Sequence, residues 1–492
     1  MAHPFRIYNT LSRNIEDFEP LEPGKVGLYV CGMTVYDDCH VGHARAMMVF
    51  DSFVRYLRSR SWEVTFVRNF TDVDDKIIAR AADRGEDPAV LAQRFIDRFA
   101  VDMEGLRLDR PTHEPRVSTS IGDIQALIAA LIERGHAYAA DGSVWFSVDS
   151  CDTYGKLSGQ RTDKLEASAD ADSGKRSGLD FAVWKAHKPG EPSWDSPWGP
   201  GRPGWHIECS AMAQATIGAT IDIHGGGLDL VFPHHENEIA QSECGTGKPF
   251  ARYWMHNGML EVADGRKMGK SEGNAFGISE VLATYPAEAV RLYYLQSHYR
   301  SPIPWNASSL DEALAMLARL YEAREVAAHM GGEEPVGQVV EGLGADAQTV
   351  VTLADAFEES FQGYLAEDFN TSAALGLAFE LARAINRFSN HKKAKKRGGP
   401  VVAKALDALA LIPGALGLLT NTGADFDAAV KDKRLPALGL TVDGVEALLA
   451  ERIDARTAKD WARADEIRDE LEGVGIAIMD GPAGSTWRIR LS

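Results

Sequence analysis

The chain has 492 residues, of which 45% are apolar and 25% charged, a composition typical of a globular protein of two to four domains. It contains no run of about 18 apolar residues and no apolar signal core near its start, so we expect no membrane span and a cytoplasmic location. A formal charge of −19 disfavours non-specific binding to nucleic acid, because the long-range field repels phosphate, but it permits a local basic surface that docks one structured RNA.

The first hundred residues predict an α/β fold. Residues 26–31 form a short apolar run typical of a buried strand, a helical pattern follows from about residue 42 to 58, and residues 63–69 resemble a second strand. Strand, helix and strand at this spacing indicate a βαβ unit and therefore a parallel sheet. Helices are predicted next over 87–109 and 121–134.

The middle of the chain interrupts this pattern. A strand is predicted over 144–148, and residues 151–204 are rich in Gly, Pro, Ser and Asp, which suggests an insertion of long loops rather than a second core. A strand with a glycine-rich turn returns at 219–231, and a helix begins at about residue 234.

The rest of the chain predicts a mostly helical half and a small terminal module. Helical patterns dominate 279–329 and 347–390, whereas 419–441 is polar and irregular, as in a linker. Residues 442–490 indicate two helices followed by short strands.

The sequence His40-Val41-Gly42-His43 follows the first predicted strand and opens a helix. Unpaired backbone N–H groups at a helix start favour phosphate, two imidazoles can donate to its oxygens, and Gly42 permits close approach. These residues are therefore candidates for a nucleotide site. The alternative is that two histidines three residues apart occur at a helix start by chance.

A second candidate is the segment Lys267-Met268-Gly269-Lys270-Ser271, which follows a predicted turn. Lys267 and Lys270 could neutralise a triphosphate during its transfer, especially if their loop is mobile. The alternative is a lysine-rich surface loop.

Two cysteines, a histidine and a glutamate could form a metal site. Cys31 ends the first strand, Cys209 lies in the segment WHIEC, and the four-residue spacing of His234 and Glu238 puts them on one face of a helix. Two thiolates, an imidazole and a carboxylate make a plausible zinc set, although buried cysteines are usually inert core residues. Cys39, Cys151 and Cys244 fit no such pattern and are interpreted as structural, and His235 and Glu236 point off the ligand face.

The two motifs together resemble the HIGH and KMSKS signatures of class I aminoacyl-tRNA synthetases, with Gly269 replacing a serine. The four candidate ligands match the zinc ligands of the cysteinyl-tRNA synthetase family, and the resemblance runs essentially end to end. It includes YVCGMTVYDDCHVGHAR (29–45), NFTDVDDKI (69–77), FAVWKAHKPGEPSWDSPWGPGRPGWHIECSAM (181–212), DIHGGGLDLVFPHHENEIAQSE (222–243), HYRSPIPW (298–305) and KDWARADEIRDEL (459–471).

The resemblance implies an enzyme that activates L-cysteine with ATP and transfers it to the 3′ end of tRNA(Cys). It implies one Zn2+ per subunit, held by Cys31, Cys209, His234 and Glu238, that recognises the substrate thiol, and Mg2+ that arrives with ATP. The implied catalytic residues are His40, His43, Lys267 and Lys270, with Gly42 and Lys270 at the ATP. Those implied beside the substrate cysteine are Gly32, Thr71, Trp205, His224 and Asp229. We expect a monomer with no membrane partner.

The fold implied is a Rossmann-like parallel-sheet catalytic domain with an insertion, followed by a helical bundle and a small C-terminal α+β module. The expected divisions are the catalytic domain at 1–115 and 205–262, the insertion at 116–204, the lysine loop and stem-contact region at 263–309, the tRNA-binding bundle at 310–418, a linker at 419–441 and an anticodon-binding module at 442–492. Candidate RNA contacts in that module are Arg452, Arg456, Arg463, Arg468, Trp487 and Arg488.

Other interpretations remain open from the sequence. Thr71 could be a helix cap, Trp205 and Trp487 could be core aromatics, and the charges of 451–472 suit any solvated helix. Two alternative functions are a ligase that joins cysteine to an amino sugar, and a non-catalytic, zinc-stabilised RNA-binding relative.

Overall fold

The computed structural model describes residues 3–164, 174–261, 276–481 and 484–491. Its first elements are β1 (Arg6–Asn9), β2 (Asn14–Asp17), β3 (Lys25–Thr34), α1 (Val41–Ser59), β4 (Glu63–Thr71), α2 (Asp75–Arg84), α3 (Pro88–Gly105) and α4 (Ile121–Glu133). They continue with β5 (Ala137–Ala140), β6 (Ser143–Phe146), β7 (Phe181–Ala186), β8 (Gly201–Pro203), α5 (Trp205–Thr216), β9 (Ile221–Gly227), α6 (Glu236–Thr246), β10 (Ala251–Asn257) and β11 (Leu260–Glu261).

The second half contains α7 (Ile278–Thr284), α8 (Ala287–Leu295), β12 (Ile303–Pro304), α9 (Ala307–Ala328), α10 (Val336–Leu343), α11 (Ala345–Ala366) and α12 (Thr371–Ser389). It ends with α13 (Ala394–Arg397), α14 (Gly399–Leu409), α15 (Leu411–Leu416), α16 (Gly423–Arg434), α17 (Val442–Thr457), α18 (Trp461–Gly473), β13 (Ile476–Gly481) and β14 (Gly484–Ile489).

A parallel sheet of four strands, in the order β10-β9-β3-β4, organises the first half. Strand β3 is buried along most of its length, as expected for a central strand covered on both faces. The predicted βαβ unit and parallel sheet are therefore confirmed. Since the strands are parallel, their carboxyl ends meet at one edge, which is where ligands bind in open α/β sheets.

The insertion has more structure than its composition suggested. Strands β5 to β8 form an antiparallel sheet, and Val183 and Trp184 of β7 are buried in a hydrophobic cluster with Val144 and Phe146 of β6. The interpretation of 151–204 as long loops is thus wrong for β7 and β8. Strand β7 pairs with β6, which lies about 35 residues earlier, and β8 pairs with β7, so local composition does not reveal a pairing that depends on tertiary contact.

The residues predicted as the linker 419–441 include the helix α16, so they are not irregular throughout. Thr422 caps this helix through the N–H of Asp425, and Phe426 and Val430, four residues apart, are its buried residues. With only two buried residues on a helix whose other residues are exposed or half-buried, the apolar periodicity is weak, which is why the sequence suggests a linker.

The helical half packs on the same continuous core as α1. Its stretch Gly399–Leu416, which comprises α14 and α15, would suit a membrane crossing by length and composition alone. Val401, Ala405 and Leu409 of this stretch lie in the hydrophobic core, and buried core helices meet the same criterion. Among the described residues it is therefore weak evidence for a span.

A buried ion pair joins α1 to α8. The Asp51 carboxylate accepts hydrogen bonds from Arg291 at 2.6 Å, Arg55 at 2.8 Å and the N–H of Asp109 at 2.7 Å. Although burial raises the pKa of Asp51, the guanidinium groups of Arg291 and Arg55 hold it below its usual value. This ion pair therefore fixes the helical half against the sheet domain.

Asp51→Asn is expected to destabilise the protein by about 3–5 kcal/mol, because it leaves the Arg291 charge buried without its counter-charge. Thermal and denaturant unfolding would measure the loss. Asp109→Asn is the matched control, since this half-exposed carboxylate should contribute no more than about 1 kcal/mol. Equal effects of the two changes would contradict this account of the buried pair.

Candidate active site

Four side chains, from β3, α5, the turn Val231–His235 and α6, meet at the carboxyl edge of the parallel sheet. The Cys31 sulfur lies 3.6 Å from the Cys209 sulfur and 3.3 Å from Oε1 of Glu238, and Nε2 of His234 lies 3.0 Å from the same oxygen. These donor atoms are all within 4.8 Å of one another, and the four side chains are buried. Two sulfurs, one imidazole nitrogen and one carboxylate oxygen at this separation fit a metal ion with four protein ligands.

The backbone of β3 orients Cys31, the first candidate ligand. The register of β3 against β4 shifts between Val30 and Met33, and such bulges re-aim side chains next to active sites. A Cβ on Gly32 would lie 1.7 Å from the carbonyl oxygen of Asn69, so glycine is required where the strands approach each other. The bulge thereby places Cys31 in the cluster.

His234 and Glu238 lie where the predicted helical spacing puts them, on adjoining turns that lead into α6. Residues Val231–His235 form an irregular turn, broken at Phe232 by an extended backbone with φ −138° and ψ 133°. His235 precedes Glu238 by three residues, and its Nε2 lies 3.9 Å from Oε1 of Glu238. A second possible donor set is therefore Cys31, His224, His235 and Glu238. The prediction that His235 points away from the ligands is wrong, because residues three apart on a helix share a face just as residues four apart do. Glu236 does point away and accepts backbone N–H groups near residue 155.

The cluster carries charge that suits metal binding. The hydrogen bond from Cys31 lowers the pKa of Cys209 to about 6, whereas burial raises the pKa of Cys31 well above its usual value. Burial lowers the pKa of His234, but Glu238 and Cys209 outweigh it and raise the pKa to about 10. Burial likewise opposes ionisation of Glu238, yet His224 and His234 hold its pKa well below the usual range. A metal ion would displace the proton on His234 and stabilise both thiolates.

Groups behind the ligands hold them in place. Nε2 of His224 lies 2.8 Å from Oε2 of Glu238, and Nδ1 of His206 lies 2.9 Å from Nδ1 of His234. The ring of Trp205 stacks on His234 with centroids 4.3 Å apart. Outer contacts of this kind orient metal ligands and tune their basicity.

The histidine motif caps the start of α1. The N–H of Gly42 donates to Nδ1 of His40 at 3.1 Å, the N–H of His40 donates to Nδ1 of His43 at 3.3 Å, and the two rings stack with centroids 3.8 Å apart. A Cβ on Gly42 would lie 2.9 Å from the His40 ring, so glycine leaves room for it. Both imidazoles thus lie at the positive end of a 19-residue helix.

Lys267 and Lys270 lie outside the described residues. The chain after them is anchored beside the histidine motif, since the N–H of Val41 donates to the carbonyl of Phe276 at 3.0 Å and Gly277 bridges to His40. Phe276 and Gly277 are therefore tied to the start of α1.

Only some of the residues expected beside the substrate lie close to the four-residue cluster. Thr71 donates to Oε2 of Glu208 at 3.1 Å, next to Cys209, and Gly32 adjoins Cys31. His224 is fully buried against Glu238, and Trp205 is 38% exposed beside His234. Asp229 lies exposed on the turn Leu228–Leu230 before the ligand segment. A cavity of about 440 Å³ borders Trp205 and His206 but is not lined by Thr71, His224 or Asp229.

Sequence reasoning missed two neighbours of the cluster. His206 precedes Cys209 by three residues on α5 and so shares its face, and Tyr29 precedes Cys31 by two residues on β3 and shares its side of the strand. Burial, together with the nearby thiols of Cys209 and Cys31, raises the pKa of Tyr29 well above its usual value. The spacing from Cys209 and from Cys31 could have identified His206 and Tyr29, because each lies on the same face of its helix or strand as the cysteine.

The candidate RNA-contacting residues of the terminal module are engaged within the protein. Arg452 makes two hydrogen bonds to Asp480, each 2.9 Å long, Arg456 joins the same carboxylate, and Arg463 bonds Glu451 and Glu466. Arg468 and Arg488 likewise contact glutamates. Trp487 is buried and donates to Glu446, as a core aromatic would.

Comparison with known proteins agrees with this geometry. The family described as tRNA synthetases class I (C) catalytic domain matches residues 17–315, the DALR domain family matches 360–420, and the cysteinyl-tRNA ligase anticodon binding domain family matches 429–488. In fold, the chain is similar to the methionyl-tRNA synthetase of Mycobacterium tuberculosis, solved in complex with methionyl-adenylate. The TM-score is 0.60 at 15% identity, over 85% of this chain and 94% of that one.

The parallel sheet, the histidine-capped helix and the catalytic-domain match define a class I aminoacyl-tRNA synthetase. Over 99% of its length and 99% of theirs, the chain is 48% identical to the cysteine–tRNA ligases of Geobacter metallireducens and Geobacter sulfurreducens. The chain belongs to the cysteine–tRNA ligase family.

Proposed function

We propose that this protein activates L-cysteine with ATP, forms cysteinyl-adenylate and diphosphate, and transfers the cysteinyl group to the 3′ end of tRNA(Cys). The observation that carries the proposal is the buried cluster of Cys31, Cys209, His234 and Glu238 at the carboxyl edge of the sheet. One Zn2+ per subunit, held by these four residues, would provide direct coordination of the substrate thiolate.

The donor set explains how cysteine could be separated from serine. The two amino acids differ by one atom, and shape alone rejects such an isostere poorly. Zinc favours thiolate over a neutral hydroxyl, so a sulfur-rich site supplies discrimination that packing cannot. Several residues implied at the substrate lie near this donor set. Trp205 stacks on His234, whereas Gly32 and Thr71 lie next to the two cysteines. Asp229 would pair with the substrate ammonium.

In the adenylation step, the cysteine carboxylate attacks the α-phosphate of ATP and diphosphate leaves. His40 and His43 would donate to the developing phosphate charge at the helix start, Gly42 would admit the nucleotide, and Lys267 and Lys270 would neutralise the leaving diphosphate. Positioning and charge neutralisation suffice for this chemistry, without a protein nucleophile. Mg2+ would arrive with ATP.

Each expected domain would have its own role. Residues 1–115 and 205–262 would carry the chemistry, 310–418 would contact the tRNA, and 442–492 would read the anticodon. We propose a cytoplasmic monomer, and analytical ultracentrifugation with and without tRNA tests its oligomeric state.

Cysteine-dependent ATP–pyrophosphate exchange tests the proposal. We expect exchange with cysteine and far less with serine, because zinc favours thiolate over a neutral hydroxyl. Chelation should abolish the cysteine reaction, and added zinc should restore it. Exchange unaffected by metal depletion would contradict the zinc assignment, and no exchange at all would favour the non-catalytic alternative. Transfer to an amino sugar instead of tRNA would identify the other alternative.

A further inference from the structure

The densest run of positive charge in the chain lies between α12 and α14, far along the sequence from the active-site motifs. Residues 391–397, here called the basic turn, read HKKAKKR and contain four lysines and one arginine. From residue 381 to 406 no aspartate or glutamate occurs, although the chain has 71 acids and a net charge of −19. Such a segment differs from the rest of this acidic chain, and it lies outside the motifs to which the adenylation chemistry is assigned.

The basic turn is held firmly by backbone contacts. The N–H of Gly331 donates to the carbonyl of Lys395 at 3.0 Å, the N–H of Gly399 donates to the carbonyl of Gly331 at 2.8 Å, and Ala394 is fully buried. Arg397 makes two hydrogen bonds to the Glu334 carboxylate, at 2.6 and 2.5 Å. The lysines therefore project from a defined surface rather than from a flexible tail.

The charge on this surface is not neutralised locally. Lys392, Lys393, Lys395 and Lys396 are exposed and pair with no acid among the residues that the structure describes. Arg383 and Arg387, four residues apart on α12, are likewise exposed and without an acidic partner in the described ranges. Six cations thus continue from one face of α12 onto the turn. Of the basic residues on this surface, only Arg397 forms an ion pair with another described residue, Glu334.

We propose that the basic turn, with Arg383 and Arg387, binds the sugar-phosphate backbone of the tRNA substrate. The inference rests on the proposed function, which supplies the RNA partner. Lysines without acceptors suit phosphate contacts, which position a nucleic acid without reading its sequence. An acidic protein that must dock a polyanion also needs a local region of opposite charge to offset long-range repulsion.

The contrast with the terminal module supports this assignment. There, Arg452, Arg456 and Arg463 are already paired with carboxylates of the module, so RNA contacts would have to compete with those pairs. Within the described part of the chain, the four lysines of the basic turn have no such competing carboxylates, and phosphate binding would release only their counterions.

The test is a combined variant, Lys392→Ala, Lys393→Ala, Lys395→Ala and Lys396→Ala, in the full-length protein. We expect the KM for tRNA in aminoacylation to rise by at least about 10-fold at low salt, with kcat little changed. The slope of log(1/KM) against log salt should become less steep by about one for each lysine that contacts phosphate. Exchange of pyrophosphate, which needs no tRNA, should be unchanged.

Lys404→Ala is the control, because this lysine of α14 is already paired with Asp355 and its loss should leave the salt slope unaltered. If the combined variant exchanges pyrophosphate and its KM for tRNA and its salt slope are unaltered, the proposal for the basic turn is overturned. The proposed function would still stand. Absence of cysteine-dependent exchange in the unmodified protein would instead defeat the proposed function. If the combined variant kept its KM for tRNA and its salt slope but no longer bound phosphatidylserine vesicles, the surface would be a membrane-binding one. That outcome would also overturn the proposal.

Discussion

Cys209→Ser is expected to lower cysteine-dependent pyrophosphate exchange by at least about 100-fold, since losing even an outer partner of a metal ligand costs roughly 10–100-fold. Cys209 is the cluster's most acidic thiol, with a pKa lowered to about 6 by the hydrogen bond from Cys31, and serine would offer the metal a neutral hydroxyl instead. Bound zinc per chain, measured by atomic absorption, should fall with the activity. The affinity for ATP should be little changed.

Cys244→Ser is the matched control for this change. Cys244 is partly exposed on α6, outside the donor sets, and its replacement should leave both zinc content and exchange intact. If Cys209→Ser kept full zinc and full discrimination against serine, the four-ligand assignment would be wrong.

Replacing His40 is expected to lower the exchange rate by ~10²–10³-fold, the usual loss when one preorganised donor to a developing charge is removed. The imidazole lies at the start of α1, where it also accepts the N–H of Gly42. Its removal therefore affects both the chemistry and the helix cap, and two variants are needed to separate these effects.

His40→Ala removes both functions, whereas His40→Asn keeps a side-chain oxygen that can cap the helix. Exchange should fall in both variants, but the alanine variant should in addition lose about 1 kcal/mol of stability on thermal unfolding. Near-normal exchange in the asparagine variant would show that His40 serves the fold and not the reaction.

Much of the chemistry was predictable from local sequence. The apolar run 26–31 and the helical pattern that follows it predicted the parallel sheet. The spacing of His234 and Glu238 predicted that two candidate ligands lie on adjoining turns. His235 shows the limit of this reasoning, because residues three apart on a helix also share a face, so spacing alone does not separate His235 from His234. The sheet of the insertion was missed because β7 pairs with a strand distant in sequence.

The sequence by itself determined the residue types at the site, the order of the motifs and the helices that follow from periodicity and caps. Only the tertiary structure decided that Cys31 and Cys209, 178 residues apart, place their sulfurs 3.6 Å from each other. It also decided which arginines are already paired within the terminal module, and which lysines of the basic turn have no acidic partner in the ranges that the structure describes. The physical reason is that residue type sets what a side chain can bind, whereas chain folding sets which partners reach it.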